Sequence, residues 1–370
     1  MSARLGLIVN PLAGLGGRVG LKGTDGANIV RRALELGAEP VAPVRAERAL
    51  ARLDRCRDRL SIVTGARAMG GELAHAHRFS TEVVDAGNSD ETTADDTRAA
   101  AAEMEQREVE LILFAGGDGT GRDIVETVGA RVPILGIPTG VKMHSGVFAT
   151  SPEAAGDLAA SHLCGAGQRR LRDAEVMDVD EEALRAGRVS ARLYAVAHVP
   201  YDRARVQNPK AASRSADADI DALCRQIADD LDGLTLFGPG TTTQRILGHL
   251  GVDGTLLGVD AVDGARLVGA DLNEAQLLQL LDGRDARLVV AVVGGQGYVF
   301  GRGNQQLSPA VIRRVGLDNI VVVAALDKVL ALDPPTLRVD TGDPELDREL
   351  SGFCSVRIAP NRTLVVKVST

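Results

Sequence analysis

A chain of 370 residues is long enough for two domains with sizeable cores. Its composition, 45% hydrophobic and 25% charged without a low-complexity tract, excludes a disordered or fibrous protein. No run approaches the roughly 18 apolar residues of a membrane span, and a net charge of −8 argues against a nucleic-acid partner, so an anionic ligand must be held by local groups.

Aromatic residues make up 2% and Trp is absent, so the cores must be built from Ala, Val, Leu and Ile. Cys56, Cys164, Cys224 and Cys354 match neither a zinc spacing nor a disulfide framework and read as reduced and structural, in a cytoplasmic protein. Lysine is scarce, five residues against thirty-seven arginines, yet Lys22 and Lys142 both fall in glycine-rich loops. A compact ammonium facing phosphate gives a reason for that placement.

In chain order, residues 4–9 read as a strand, followed by Asn10-Pro11 and a loop carrying Gly14, Gly16, Gly17, Gly20, Gly23 and Gly26. A helix over 27–37, with Asp25 as a cap, and strands at 61–64 and 81–84 come next. A helix over 93–107 carries Asp95 and Asp96 near its N-terminal end, where the dipole favours acids. Strand 109–115 leads into Gly116-Gly117-Asp118-Gly119-Thr120, then helix 121–129 and strand 132–136. Strands alternating with helices and glycine turns predict a doubly wound parallel sheet, with ligands outside the carboxyl ends of its strands. Past residue 165 the pattern changes. Longer alternating strands are expected at 169–180 and 189–199, an irregular stretch at 208–217, and helices at 217–231, 241–250 and 273–282. Strand 287–293 runs into a second glycine cluster, and strands at 320–324, 353–359 and 363–368 close the chain. The expected organisation is an α/β N-terminal domain over 1–165 and a β-rich α+β C-terminal domain over 166–370, with the active site in the cleft between them.

The Gly-Gly-Asp-Gly-Thr turn is the centre of the chemistry. Glycines let the main chain approach an anion, and a helix N-terminus offers free N–H groups and a positive dipole end. Asp118 is the odd residue, since a carboxylate repels phosphate. It is tolerable if it holds a metal or takes a proton from an attacking hydroxyl, and the alternative is a helix N-cap. The first loop, with Arg18 and Lys22, reads as a phosphate cradle. The loop from Gly136 through Gly140, Lys142, His144 and Ser145 follows the neighbouring strand and should lie near Asp118. There Lys142, His144 and Ser145 could contact phosphate or ribose oxygens, or His144 could hydrogen-bond within its loop. Gly238, Gly240, Thr241 and Thr242 open another helix, as a cap or as an anion site. Asp340, Asp343 and Asp347 could reach a cation, or Asp343 could cap a short helix starting at Pro344.

Together these stretches resemble the ATP-NAD kinase superfamily, related in fold to the diacylglycerol and sphingosine kinases. The nearest branch is that of NAD kinase and the acetoin-catabolism X protein. The likeness is carried by 10–23 with Asn10, Pro11, Gly14, Gly17, Arg18 and Lys22, by 116–120, by 136–145, by 238–242 and by 294–305. The resemblance implies a kinase that moves the terminal phosphoryl of ATP or polyphosphate to the 2′-hydroxyl of NAD, with Mg²⁺. Asp118 would engage the acceptor hydroxyl as base or orienting group. Gly116, Gly117, Gly119 and Thr120 would line the phosphate turn, Asn10 and the first loop would face the donor phosphates, and Gly238–Thr242 would replace the family's Thr-Pro-Thr-Gly-Ser segment. It also implies a homo-oligomer, while the net charge and the lack of a basic amphipathic helix predict no nucleic-acid or membrane partner. One departure bears on the acceptor. Typical members carry an Asn-Glu or Asn-Asp pair where this chain reads Tyr194-Ala-Val-Ala-His198-Val-Pro-Tyr201-Asp202. A kinase of another small alcohol or lipid, and a non-catalytic nucleotide-binding regulator, are the competing expectations.

Overall fold

The computed structural model describes residues 2–21, 27–86, 92–140, 143–165, 169–179, 191–202 and 217–370. Lys22, Asp25 and Lys142 lie outside these, as does nearly all of the stretch expected to be irregular at 208–217.

Five parallel strands form the first sheet: β1 (Ala3–Val9), β2 (Leu60–Thr64), β3 (Ser80–Val83), β4 (Leu111–Gly116) and β5 (Ile134–Pro138), in the order β3-β2-β1-β4-β5. Parallel strands need crossovers, and here the crossovers are helices: α1 (Ala27–Glu35), α2 (Ala42–Leu53), α3 (Gly71–Ala76), α4 (Ala94–Gln106), α5 (Asp118–Val128) and α6 (Pro152–Cys164). β4 is buried at every residue, as its apolar run requires of a central strand covered on both faces. One face is covered by α4, whose Met104 lies over Gly6, and by α5, where Gly121 packs on Phe114. The other is covered by α2 and α6. α4 begins with a reciprocal capping box between Thr93 and Asp96. α5 starts at Asp118, three residues before the expected start, because Gly117 already takes the cap position.

α2 and α6 were not anticipated. Arg45, Arg48 and Arg52 interrupt the hydrophobic look of α2, yet Ala42, Ala46, Ala49, Leu50 and Leu53 form a buried helical stripe. Its arginines then cross to α6, with Arg48 on Glu153 and Arg52 on Asp157, where Arg55 from just past the helix joins it. The two helices meet at Gly156, where an added methyl would collide with the Ala49 carbonyl.

An antiparallel hairpin, β6 (Leu171–Val179) and β7 (Ala191–Pro200), follows. It lies past the expected boundary at 165, but its inward residues Ala174, Val176, Ala197 and Val199 join the core of the parallel sheet. The remainder builds one mixed nine-stranded sheet. Its elements are α7 (Asp217–Asp229), β8 (Leu234–Phe237), α8 (Thr241–His249), β9 (Asp260–Asp263), β10 (Arg266–Gly269), α9 (Glu274–Leu281), β11 (Ala286–Ala291), β12 (Tyr298–Phe300), α10 (Pro309–Val315), β13 (Ile320–Val323), α11 (Leu326–Leu330), β14 (Thr336–Val339), α12 (Pro344–Leu350), β15 (Gly352–Ala359) and β16 (Arg362–Ser369). The strands run in the order β10-β9-β8-β11-β13-β15-β16-β14-β12. β8, β9, β10, β12 and β14, of three or four residues each, are too short to show a period and were not anticipated. Thus an α/β N-terminal domain is joined to a β-rich C-terminal one. Among the described residues no helix is long and apolar enough to cross a membrane.

Two glycine substitutions should move stability in opposite directions. Gly156→Ala forces a methyl against main chain and should cost about 1–3 kcal/mol. Gly248→Ala, on an exposed part of α8 with nothing within 4 Å of the new methyl, should stabilise by about 0.5–1 kcal/mol. Urea unfolding of the two variants against the parent protein checks both signs.

Candidate active site

The turn between β4 and α5 is shaped by contacts within the motif itself. A side chain at Gly116 would come within 2.5 Å of the Thr120 Cβ and Oγ1, so only glycine fits. Thr120 Oγ1 accepts a hydrogen bond from Asn10 Nδ2 at 3.0 Å, while Asn10 Oδ1 accepts from the Leu12 N–H at 3.1 Å. The Asn10 N–H donates to the Ala115 carbonyl at 2.9 Å, and so the first loop is tied to the second. At Gly117 and Gly119 the space a side chain would take is open, with no heavy atom within 4 Å. Gly117 caps α5 without a side chain. The first N–H groups of the helix therefore keep the anion-binding capacity that a Ser or Asp cap would have used.

Asp118 is the first residue of α5 and is buried, at 7% exposure. It is not the cap. Its carboxylate turns to the loop after β5, where Oδ2 accepts the His144 N–H at 2.7 Å and Oδ1 accepts the Ser145 N–H at 3.0 Å. Two main-chain donors and the N-terminal end of α5 together satisfy the buried charge. The same loop is anchored from its other side. Ser145 Oγ accepts the Met177 N–H at 2.9 Å, and the Gly146 N–H donates to the Glu175 carbonyl at 2.8 Å. Among the described residues the His144 ring has no hydrogen bond within its loop. Both ring nitrogens are buried without a hydrogen-bond partner, and Nδ1 stands 3.5 Å from Asp118 Oδ2.

Three glycine segments meet beside this carboxylate. Gly14, at a φ of +83° that favours glycine, sits so close to Thr139 that a side chain would strike its carbonyl. A side chain on Gly140 would lie 3.4 Å from the Gly117 Cα, and one on Gly17 would lie 3.1 Å from the Gln305 Cβ. From the second sheet, Gln296 Nε2 donates to the Met143 carbonyl at 2.7 Å, and Gln305 Nε2 donates to the Gly140 carbonyl at 3.2 Å. The segments on either side of β12 are thus laid directly over the loop that holds Asp118. Arg18 is exposed, and its carbonyl accepts the Glu274 N–H at 3.1 Å; Pro11 is half-buried at the loop's start. Gly238, Gly240, Thr241 and Thr242 lie at the carboxyl end of β8, beside that of β11. There Gly240, at φ +147°, caps α8 without a side chain. Among the described residues no hydrogen bond joins this segment to the Asp118 loop.

A buried ionic cluster closes the seam and was not foreseen. Asp340 pairs with Arg45 of α2 and with Arg302 at 2.7 Å, and Arg45 also donates to the Pro138 carbonyl. Arg302 lies over the Tyr298 ring, whose hydroxyl donates to the Thr150 carbonyl. Burial alone would raise the Asp340 carboxyl, but the two guanidiniums outweigh it and bring it down to about 2. The other two carboxylates are also engaged within the protein. Asp343 caps α12 through the Glu345 and Leu346 N–H groups, and Asp347 accepts from the Thr341 N–H and hydroxyl. The sequence signals were slight: Arg45 sits in a helix that was not anticipated, and the Gly294–Gln305 stretch was a motif without an assigned role.

A family model of the ATP-NAD kinase N-terminal domain matches residues 5–165, and one of the ATP-NAD kinase C-terminal domain matches residues 232–368. No curated protein matches the chain. The two matches cover most of the chain, which belongs to the ATP-NAD kinase family and is a kinase of that family.

Replacing Asp340 by Asn would leave two buried guanidiniums around a neutral amide. Urea unfolding at pH 7 should show a loss of about 3–5 kcal/mol. In the parent protein the folded carboxyl, at about 2, lies below its ordinary 3.8. Its contribution is therefore complete above the ordinary value and is lost as pH falls through the folded one. The gap between parent and variant should be constant above about pH 5 and narrow progressively below about pH 4.

Proposed function

We propose that this member of the ATP-NAD kinase family transfers the terminal phosphoryl group of ATP, or of polyphosphate, to the 2′-hydroxyl of NAD, giving NADP. The observation that carries the reading is Asp118, a buried carboxylate at the start of a helix whose first N–H groups are left uncapped beside open glycines. The donor phosphates would lie over Gly117, Gly119 and Thr120, between the first loop, with Asn10, Pro11, Gly14, Gly17, Arg18 and Lys22, and the third, with Gly140 and Lys142. Gly238, Gly240, Thr241 and Thr242 would extend the nucleotide surface from the second sheet. Phosphoryl transfer asks mainly for positioning and charge stabilisation. Asp118 would meet the acceptor hydroxyl, orient its oxygen in line with the terminal phosphorus and take up its proton.

Mg²⁺ fits this site as part of the nucleotide complex. Among the described residues no group of three or more His, Cys, Asp and Glu lies together as a cage. A hard cation carried by phosphate oxygens and water needs none. When bound it would offset charge on the transferring group.

One feature favours a second acceptor class. β7 presents Tyr194 and Val196 to solvent where typical members carry an Asn-acid pair, and His198 Nδ1 is 2.9 Å from Asp173 Oδ1. A different small hydroxyl compound is the acceptor to test next.

The test is a coupled assay with Mg²⁺, ATP or polyphosphate, and NAD, read as NADP by a dehydrogenase. Asp118→Asn should lower turnover by about 10²–10⁴-fold while ATP binding persists. NADP formation unaffected by Asp118→Asn would refute the assignment of Asp118. Measurable ATP binding without NADP would redirect the search to other alcohols.

A further inference from the structure

Among the described residues both nitrogens of the His144 ring lack a hydrogen-bond partner, although its side chain is only 6% exposed. Buried polar atoms are normally paired, because a bare one has lost its water and gained nothing. The ring therefore has unused capacity, and Asp118 Oδ2 stands 3.5 Å from its Nδ1. A carboxylate oxygen can accept two hydrogen bonds. The main chain uses one place on each oxygen, His144 N–H on Oδ2 and Ser145 N–H on Oδ1. One place remains on each, and only Oδ2 has the ring beside it. The residue that supplies the ring also supplies one of the main-chain donors, so ring and loop move together. Met143, held by Gln296, and Ser145, held by the Met177 N–H, flank it on either side.

We propose that His144 is a positioning residue for phosphoryl transfer, its Nδ1–H closing on Asp118 Oδ2 and leaving Oδ1 as the oxygen that meets the acceptor hydroxyl. This rests on the kinase reading of the site. In the step so arranged, the acceptor O–H bond breaks and its proton goes to Asp118 Oδ1. The acceptor oxygen forms a bond to the terminal phosphorus of the donor. The bridging P–O bond breaks, and its electron pair leaves with the shortened donor. His144 exchanges no proton with the substrate. It fixes the tilt of the carboxylate and keeps the second oxygen from competing for the hydroxyl.

Two variants test this. His144→Ala removes the ring, and His144→Asn restores an N–H donor close to the position of Nδ1. With His144→Ala, kcat should fall about 10–100-fold with KM for ATP little changed, and His144→Asn should recover most of the loss. In an Asp118→Asn background, His144→Ala should cost nothing further in single-turnover rate, since the ring acts through that carboxylate. Parent-like turnover in His144→Ala, no recovery in His144→Asn, or losses that multiply in the double variant would each overturn the proposal. A second readout covers variants that fail to fold and does not depend on turnover. In the ¹⁵N-histidine-labelled parent protein, the His144 ring should carry its proton on Nδ1, with a signal that shifts in Asp118→Asn. A proton on Nε2 alone, or a signal indifferent to Asp118→Asn, would overturn the assignment. If the parent phosphorylates no hydroxyl compound, the kinase reading of the substrates falls, and the nitrogen spectrum still decides the contact.

Discussion

The hydrogen bonds from the main chain of His144 and Ser145 to the Asp118 carboxylate are the constraint around which the site is arranged. They follow from strand direction. β4 and β5 are parallel neighbours with Gly116 opposite Pro138, so the turn leaving one and the loop leaving the other emerge at the same edge. A carboxylate buried at that edge needs donors, and the loop after β5 supplies two without using a side chain. The other segments attach to this pair. The first loop joins through Asn10 and Thr120, the hairpin through Met177 and Glu175, and the second sheet through Gln296.

The second half of the molecule docks through charge as well as packing. Asp340 and Arg302 are both almost completely buried, and Arg45 nearly so. Other guanidinium N–H groups reach carbonyls at Pro138, Thr150 and Gly301, and the Tyr298 ring accepts the face of Arg302. Such a cluster adds less net stability than its gross attraction suggests, because each charge gave up water to enter it. What it imposes is register. A shifted docking of the second sheet would part Asp340 from Arg45 and Arg302 from the Thr150 carbonyl within a buried interface. Arg45 is bonded to Pro138, one residue before the loop of Thr139 and Gly140, so the seam and the candidate site share a support.

Much of the first sheet was legible because its residues are locally decisive. The run before Gly116 is apolar but for Glu110, Asp95 and Asp96 mark the start of a helix, and glycines mark turns at strand ends. Five short strands of the second sheet were not legible, because three or four residues contain at most two periods of alternation. α2 was obscured for a different reason: its arginines look solvent-facing until α6 and the second sheet supply their partners. The alternative that Asp118 caps its helix fails on geometry, since Gly117 takes that place and the carboxylate points to another loop.

By itself the sequence determined the parallel-sheet architecture, the glycine turns at its carboxyl edge and the kinase family, since these depend on residue type, spacing and local propensity. Tertiary structure alone decided that Gly14 meets Thr139 and Gly17 meets Gln305, that Asp340 serves a buried seam, and that among the described residues the His144 ring has no hydrogen-bond partner. Those outcomes depend on contacts between residues far apart in the chain. No local pattern encodes them, because the free energy of such a contact is set by what surrounds it after the chain has folded.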